Sequence, residues 1–251
     1  MSAAIISADP SGIVVHSDGA TFDPRDSYRL LALHSKVVRL THVPALLVGF
    51  GCEGFTETMA MCRSPLWRDF DDMLGRLADD VHATRAYLRG TVRRGRPCSA
   101  LVVAGGWSAA RSAFELWQCL ITDEDGDAVP ALERLGDCVV LPMPSDEALT
   151  AAGFLVDDRV AITPDRIIDF FEVQRAEPGR SVTMSDDSAP GHVVGGFVES
   201  TTLTMVDGQP RIISTIVHRW PDIIGEPIRP GGGHVDIAAG ARTAAVSPAR
   251  D

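Results

Sequence analysis

The sequence predicts an α+β sandwich in which helices cover antiparallel sheets. Three observations carry that prediction. Two early pairs of apolar runs are joined by links too short for a crossover, so their strands pair antiparallel. A stretch from about Thr56 to Leu88 carries apolar residues at helical spacing. A last pair of runs, Val193 to Val206 and Arg211 to His218, flanks Asp207-Gly208, a hairpin signal. Strands grouped apart from helices, rather than alternating with them, indicate this class.

Taken in order, Ala3 to Ala8 and Gly12 to His16 surround Asp9-Pro10-Ser11-Gly12, which is turn chemistry, and read as a hairpin. Asp18 to Ser35 reads as a long polar connection. Lys36 to Thr41 and Pro44 to Phe50 form a second strand pair. The helical stretch is broken at Pro65. In its second half Phe70, Met73, Leu74, Leu77, Val81 and Leu88 share one face, opposite Asp71, Asp72, Arg76, Asp79 and Asp80. Arg93-Arg94-Gly95-Arg96-Pro97 is a basic turn. Strands follow over Ala100 to Ala104, Glu115 to Thr122 and Cys138 to Leu141. Ser145 to Ala152 is helical, and Thr163-Pro164 opens a helix that ends before Pro178. Arg180 to His192 reads as a surface loop.

The chain has 251 residues, 45% of them hydrophobic, so it can bury a core and suits a single domain over residues 1–235, followed by a Gly- and Ala-rich flexible tail over 236–251. A net charge of −11 argues against nucleic acid or an anionic membrane as partner. No apolar run is long enough to cross a membrane as a helix, and the first residues lack the basic start of a signal peptide. Cys52, Cys62, Cys98, Cys119 and Cys138 show no C-x-x-C pair. They read as buried thiols in a reducing cytoplasm.

Several motif matches dissolve on inspection. Gly49-Phe50-Gly51-Cys52-Glu53-Gly54 fits G-x-G-x-x-G, but the second strand with an acidic end that a dinucleotide site needs is replaced by helix at Trp67 to Leu77. A tight turn or a close backbone approach explains these glycines. Gly106-Trp107-Ser108-Ala109-Ala110 falls one residue short of a nucleophile elbow, and Ser108 reads as the cap of a helix start. Asp123-Glu124-Asp125-Gly126 lacks the order and distal Glu of a calcium loop. Seven histidines show no metal spacing and read as surface or satisfied residues. Neither a metal nor another cofactor is expected.

The N-terminus holds the remaining chemistry. Ser2 is small, so loss of Met1 would leave its hydroxyl beside a free α-amine, whose ordinary pKa of about 7.7–8.0 suits a general base. A serine hydroxyl needs such a base to become a nucleophile. Of 23 basic residues all but one are Arg; the single Lys is Lys36. Lysine can give up its proton when its pKa falls, and arginine in practice cannot. A buried lysine near the amine would lower the amine's pKa, and an aspartate could hold the lysine. Asp18 and Lys36 lie at strand ends that antiparallel pairing can return to the N-terminus.

In this pattern the first fifty-odd residues resemble the start of proteasome-type N-terminal-nucleophile (Ntn) hydrolase β-subunits. The quoted features are Ser2, the turn at Gly12, Gly-Ile-Val-Val-His-Ser-Asp ending at Asp18, Ser35-Lys36-Val37-Val38, and Val48-Gly49-Phe50-Gly51. The spacing from Ser2 to Asp18 is the family's usual one, and that from Asp18 to Lys36 is about two residues longer.

The resemblance implies a four-layer αββα sandwich. It implies Ser2 as nucleophile, Asp18 orienting Lys36, Lys36 tuning the amine, and Gly51 or Gly49 donating an N–H to the oxyanion. It places Thr21 on a substrate-binding strand. The implied activity is amide hydrolysis, on a peptide, through an acyl-ester, in an enzyme that self-associates into a ring or other homo-oligomer. The family's later Ser-Gly motif has no assigned counterpart here. Two alternatives therefore stay open: a non-catalytic assembly protein with an idle site, and a small-molecule amidohydrolase.

Overall fold

A computed structural model describes residues 3–23, 26–92, 98–179 and 190–230. The first hairpin is β1 (Ala4–Asp9) and β2 (Gly12–Asp18), with Ala4 opposite Ser17 and Asp9 opposite Gly12. Its turn is held by the Asp9 carboxylate, which accepts from the Ser11 and Gly12 amides at 2.6 and 3.2 Å. The expected polar connection instead contains a second hairpin, β3 (Ala20–Asp23) and β4 (Arg29–Leu33). Ser27 and Tyr28 take positive φ of 51° and 55° there, so the chain turns without the Gly or Asn that would announce it.

Next come β5 (Val37–Leu40) and β6 (Ala45–Gly51), then α1 (Phe55–Arg63), a 3₁₀ turn at Ser64–Leu66 around Pro65, and α2 (Phe70–Gly90). The Asp69 side chain caps α2 by accepting the Asp72 amide at 2.8 Å. The strands β7 (Ala100–Ser108), β8 (Ala113–Ile121), β9 (Leu132–Arg134) and β10 (Cys138–Leu141) follow. The rest comprises α3 (Asp146–Ala151), the two-residue strands β11 (Leu155–Val156) and β12 (Arg159–Val160), α4 (Ile167–Ala176), and the long hairpin β13 (Phe197–Val206) and β14 (Gln209–Arg219).

Two five-stranded sheets result, in the orders β10-β1-β2-β13-β14 and β5-β6-β7-β8-β9. Strand alternation sorts their side chains into three cores. Ile6, Ile13 and Val15 of one sheet meet Leu46, Val48 and Val103 of the other between the sheets. On the opposite face of the second sheet, Ala45, Leu47, Val102 and Ala104 receive α1 and α2 through Phe55, Met59, Phe70, Met73, Leu77 and Val81. On the outer face of the first, Ala3, Ile5 and Val198 receive α3 and α4 through Leu149, Phe170 and Phe171. The order is therefore α–β–β–α. The predicted stripe of α2 is buried throughout, and each such side chain contributes about 1.5–3 kcal/mol by leaving water.

Three local expectations are corrected. Ser108 starts no helix. It ends β7, donates its hydroxyl to Asp71 at 2.7 Å and accepts the Arg111 amide at 3.1 Å, so it braces the β7–β8 turn against α2. Cys62 and Cys138 are exposed rather than buried. His16 is neither a surface nor a satisfied residue: its ring is largely buried in β2, its buried Nδ1 has no partner, and desolvation pushes its pKa down to about 4. The turn Arg93–Pro97, most of the loop Arg180–His192, and the tail 236–251 lie outside the described residues.

Candidate active site

Asp18 is the last residue of β2, so antiparallel pairing sets it beside Ala3 at the start of β1. The two are tied twice: the Asp18 amide donates to the Ala3 carbonyl at 3.0 Å, and the Ala3 amide donates to Asp18 Oδ1 at 2.8 Å. Lys36 stands one residue before β5, in the other sheet. Its Nζ donates to the same Oδ1 at 2.5 Å. The second oxygen, Oδ2, accepts the Ala20 amide at 3.2 Å and the Gly195 amide at 3.1 Å. Asp18 is fully buried, and the Lys36 side chain is only 6% exposed. A buried carboxylate needs such a ring of donors, because without them burial would strip its charge.

The lysine answers to two opposed forces. Burial pushes its ammonium below the usual lysine value, and the neighbouring Asp18 charge pulls it partly back. The net direction is downward, so this amine is easier to neutralise than one on the surface.

Ser2 lies outside the described residues. The amide nitrogen that meets Asp18 Oδ1 is nonetheless the one that joins residue 3 to residue 2. Lys36 and that peptide nitrogen thus converge on one oxygen atom.

Gly49 and Gly51 sit on β6. The register sets Val37 opposite Val48, so Lys36 and Gly49 lie one step beyond, at the same end of the β5–β6 pair. Gly49 is a close-approach glycine: a Cβ there would stand 1.8 Å from Thr56 Oγ1 of α1. Gly51 has φ of 97°, a conformation that suits glycine and turns the chain out of β6 toward α1. Thr21 lies on β3, where its hydroxyl meets His34 Nδ1 at 3.4 Å. Distances bring Asp18 and Lys36 together, and sheet register brings Gly49 to their end of the fold.

Three supports carry no signal in local sequence. Gly195 gives Asp18 only a backbone N–H from 177 residues away. Ser35 donates its hydroxyl to Glu199 of β13, which ties the residue before Lys36 to the first sheet. The Gly195 segment is itself clamped from behind. Buried Arg175 of α4 donates to the Val194 carbonyl at 2.8 Å and pairs with Asp222 at 2.5 Å, and Asp222 accepts the Gly196 amide at 2.7 Å. Lone arginines and aspartates are common in this chain, so only the fold reveals which two meet. Among the described residues no cluster of three or more His, Cys, Asp or Glu could hold a metal ion, and no helix is long and apolar enough to cross a membrane.

No protein-family model and no curated protein matches the sequence. Solved structures match the fold. The chain aligns over 86% of its length with 87% of Anbu from Pseudomonas aeruginosa, described as a helical assembly of the Anbu complex, at 12% identity and a TM-score of 0.53. It aligns over the same shares with a Gly-1 mutant of Anbu from Hyphomicrobium sp. strain MC1, at 12% identity and a TM-score of 0.50. The fold is the proteasome-like Ntn sandwich. At that identity the likeness is one of fold alone. Within that sandwich, the buried Asp18–Lys36 pair lies where the first strand begins.

Proposed function

We propose that the chain is a proteasome-like Ntn amidohydrolase that cleaves peptides with Ser2 as nucleophile. One observation carries this reading: Lys36 and the amide nitrogen that follows residue 2 share Asp18 Oδ1, in a chain whose only lysine is Lys36. Removal of Met1 exposes the Ser2 α-amine. That amine takes the hydroxyl proton as the Ser2 oxygen attacks the substrate carbonyl. The Lys36 ammonium lowers the amine's pKa and offsets the negative charge that develops, and Asp18 holds the lysine in place. The Gly51 amide, or that of Gly49, donates to the oxyanion, a contact worth roughly 3 kcal/mol of barrier. The amine then passes its proton to the leaving nitrogen, which departs and leaves an acyl-ester on Ser2. Water, deprotonated by the same amine, attacks the ester carbonyl; the bond to the Ser2 oxygen breaks, the acid leaves, and the amine returns the proton to that oxygen. Thr21 lines the peptide's path on β3.

The chemistry requires the Lys36 ammonium. Incubation with a pool of short peptides should therefore give new amino termini with the wild-type protein and none with Lys36→Ala. Turnover that survives Lys36→Ala would remove lysine from the mechanism. Loss with Lys36→Arg, in a protein that keeps its unfolding midpoint, would show that the site needs the compact ammonium of lysine and not positive charge alone.

Self-association belongs to the same reading, with a cytoplasmic setting. The Anbu complex of Pseudomonas aeruginosa is described as a helical assembly. In this chain the edge strand β14 exposes Ile213 and Val217, 49% and 44% accessible. A second reading, an assembly protein with an idle site, keeps the association and loses the turnover, so the peptide experiment separates the two.

A further inference from the structure

Cys52 and Cys98 are 46 positions apart in sequence, yet their sulfurs lie 3.1 Å from each other. Both are buried in the core beneath α1 and α2, Cys98 completely and Cys52 with 7% of its surface accessible. The surrounding backbone is already fixed on both sides. Gly51 pairs with Ala100, and the Cys52 amide donates to the Ser99 carbonyl at 2.9 Å. The Cys98 amide donates to the Asp123 carboxylate at 2.9 Å, and the Ser99 hydroxyl donates to it at 3.2 Å. In continuous strands residues 52 and 98 would point to opposite faces. The positive φ of Gly51 ends that alternation and lets the two side chains share one.

We propose that Cys52 and Cys98 are a paired oxidation site, closed to a disulfide by hydrogen peroxide. A bond needs the sulfurs to move about 1 Å closer. In the first step the Cys52 sulfur, the more accessible of the two, attacks the peroxide oxygen; the O–O bond breaks, Cys52 becomes a sulfenic acid and water leaves. In the second the Cys98 sulfur attacks the Cys52 sulfur, the S–O bond breaks, and the hydroxyl leaves as water with the Cys98 proton. The two thiols are oxidised by two electrons and the peroxide is reduced to two waters. The crosslink staples the β6–α1 junction, which begins at Gly51, to the start of β7, and encloses both α1 and α2 in one covalent loop. It stands independently of the hydrolase reading, because it concerns residues outside the Asp18–Lys36 cluster.

The test treats the intact chain with hydrogen peroxide, or with dithiothreitol as control, and maps disulfides by mass spectrometry after alkylation. The expected result is one intramolecular Cys52–Cys98 linkage, a loss of two hydrogens, and a thermal midpoint raised by about 10 °C, as closing so long a loop restricts the unfolded chain. Amide exchange at Phe50 to Gly54 should slow in the oxidised form. Cys52→Ser and Cys98→Ser should each abolish the linkage and the shift, and Cys138→Ser should keep both. A chain whose Cys62 or Cys138 oxidises while Cys52 and Cys98 remain alkylatable would overturn the proposal. So would a linkage of different partners.

Discussion

Lys36 and Asp18 form an ion pair of 2.5 Å with both side chains out of solvent. It joins the two sheets of the sandwich at the end where the chain enters its first strand. Breaking such a pair from one side leaves a buried charge uncompensated. Asp18→Asn is doubly unfavourable, since either position of its amide nitrogen would face two donors, Ala3 and Lys36 at Oδ1 or Ala20 and Gly195 at Oδ2. Lys36→Met and Asp18→Asn should each cost about 3–5 kcal/mol in urea unfolding. The double variant should cost less than the sum of the two. Strict additivity would mean that the residues do not interact in solution.

Because the chain holds one lysine, ¹³C-lysine labelling yields a single side-chain Cε signal to follow against pH. Its titration midpoint should lie below the ordinary lysine value of 10.5, since burial outweighs the pull of Asp18. In urea it should return to about 10.5. The unfolded chain then binds this proton more tightly than the folded one. This group's contribution to stability therefore grows as pH rises from the folded midpoint toward 10.5. A folded midpoint at or above 10.5 would show that the ion pair dominates.

His16 gives the opposite end of the pH scale. Its folded pKa is about 4, against 6.5 for an ordinary histidine, so the unfolded chain takes up a proton first as pH falls. Stability should drop between pH 6.5 and 4, by up to about 3 kcal/mol from this residue. Urea midpoints measured across that range should fall more steeply for the wild type than for His16→Gln. Parallel curves would assign the acid loss to other groups.

Gly49→Ala should cost about 1–3 kcal/mol by overpacking, because its Cβ would meet Thr56 Oγ1 at 1.8 Å. Thr56→Ala should restore only part of that loss, since the Thr56 Cβ itself would stand 2.9 Å away. Unfolding midpoints of the two single variants and the double variant decide this. Full recovery would show that the helix shifts freely.

Much of the architecture was legible because it depends on periodicity. The buried stripe of α2, the break at Pro65, the first hairpin and the Asp207-Gly208 turn all follow from spacing and turn residues. The β3–β4 hairpin was not, because Ser27 and Tyr28 make its turn in a conformation that neither residue type advertises. Strands as short as β9, β11 and β12 are set by their neighbours rather than by local pattern. Asp18 and Lys36 stood out as an acidic strand end and a lone lysine. Gly195 did not, since a backbone N–H has no side chain to notice, and the Arg175–Asp222 clamp behind it spans 47 residues.

The proposed chemistry is tested most directly by where an acylating probe attaches. Treatment with a β-lactone, followed by intact-mass measurement and peptide sequencing, should show a chain lacking Met1 and one adduct on the Ser2 hydroxyl. Lys36→Ala should slow labelling by about 100-fold or more, and Ser2→Ala should abolish it. A chain that retains Met1, or a Ser2→Ala variant labelled as fast as the wild type, would contradict an N-terminal serine nucleophile.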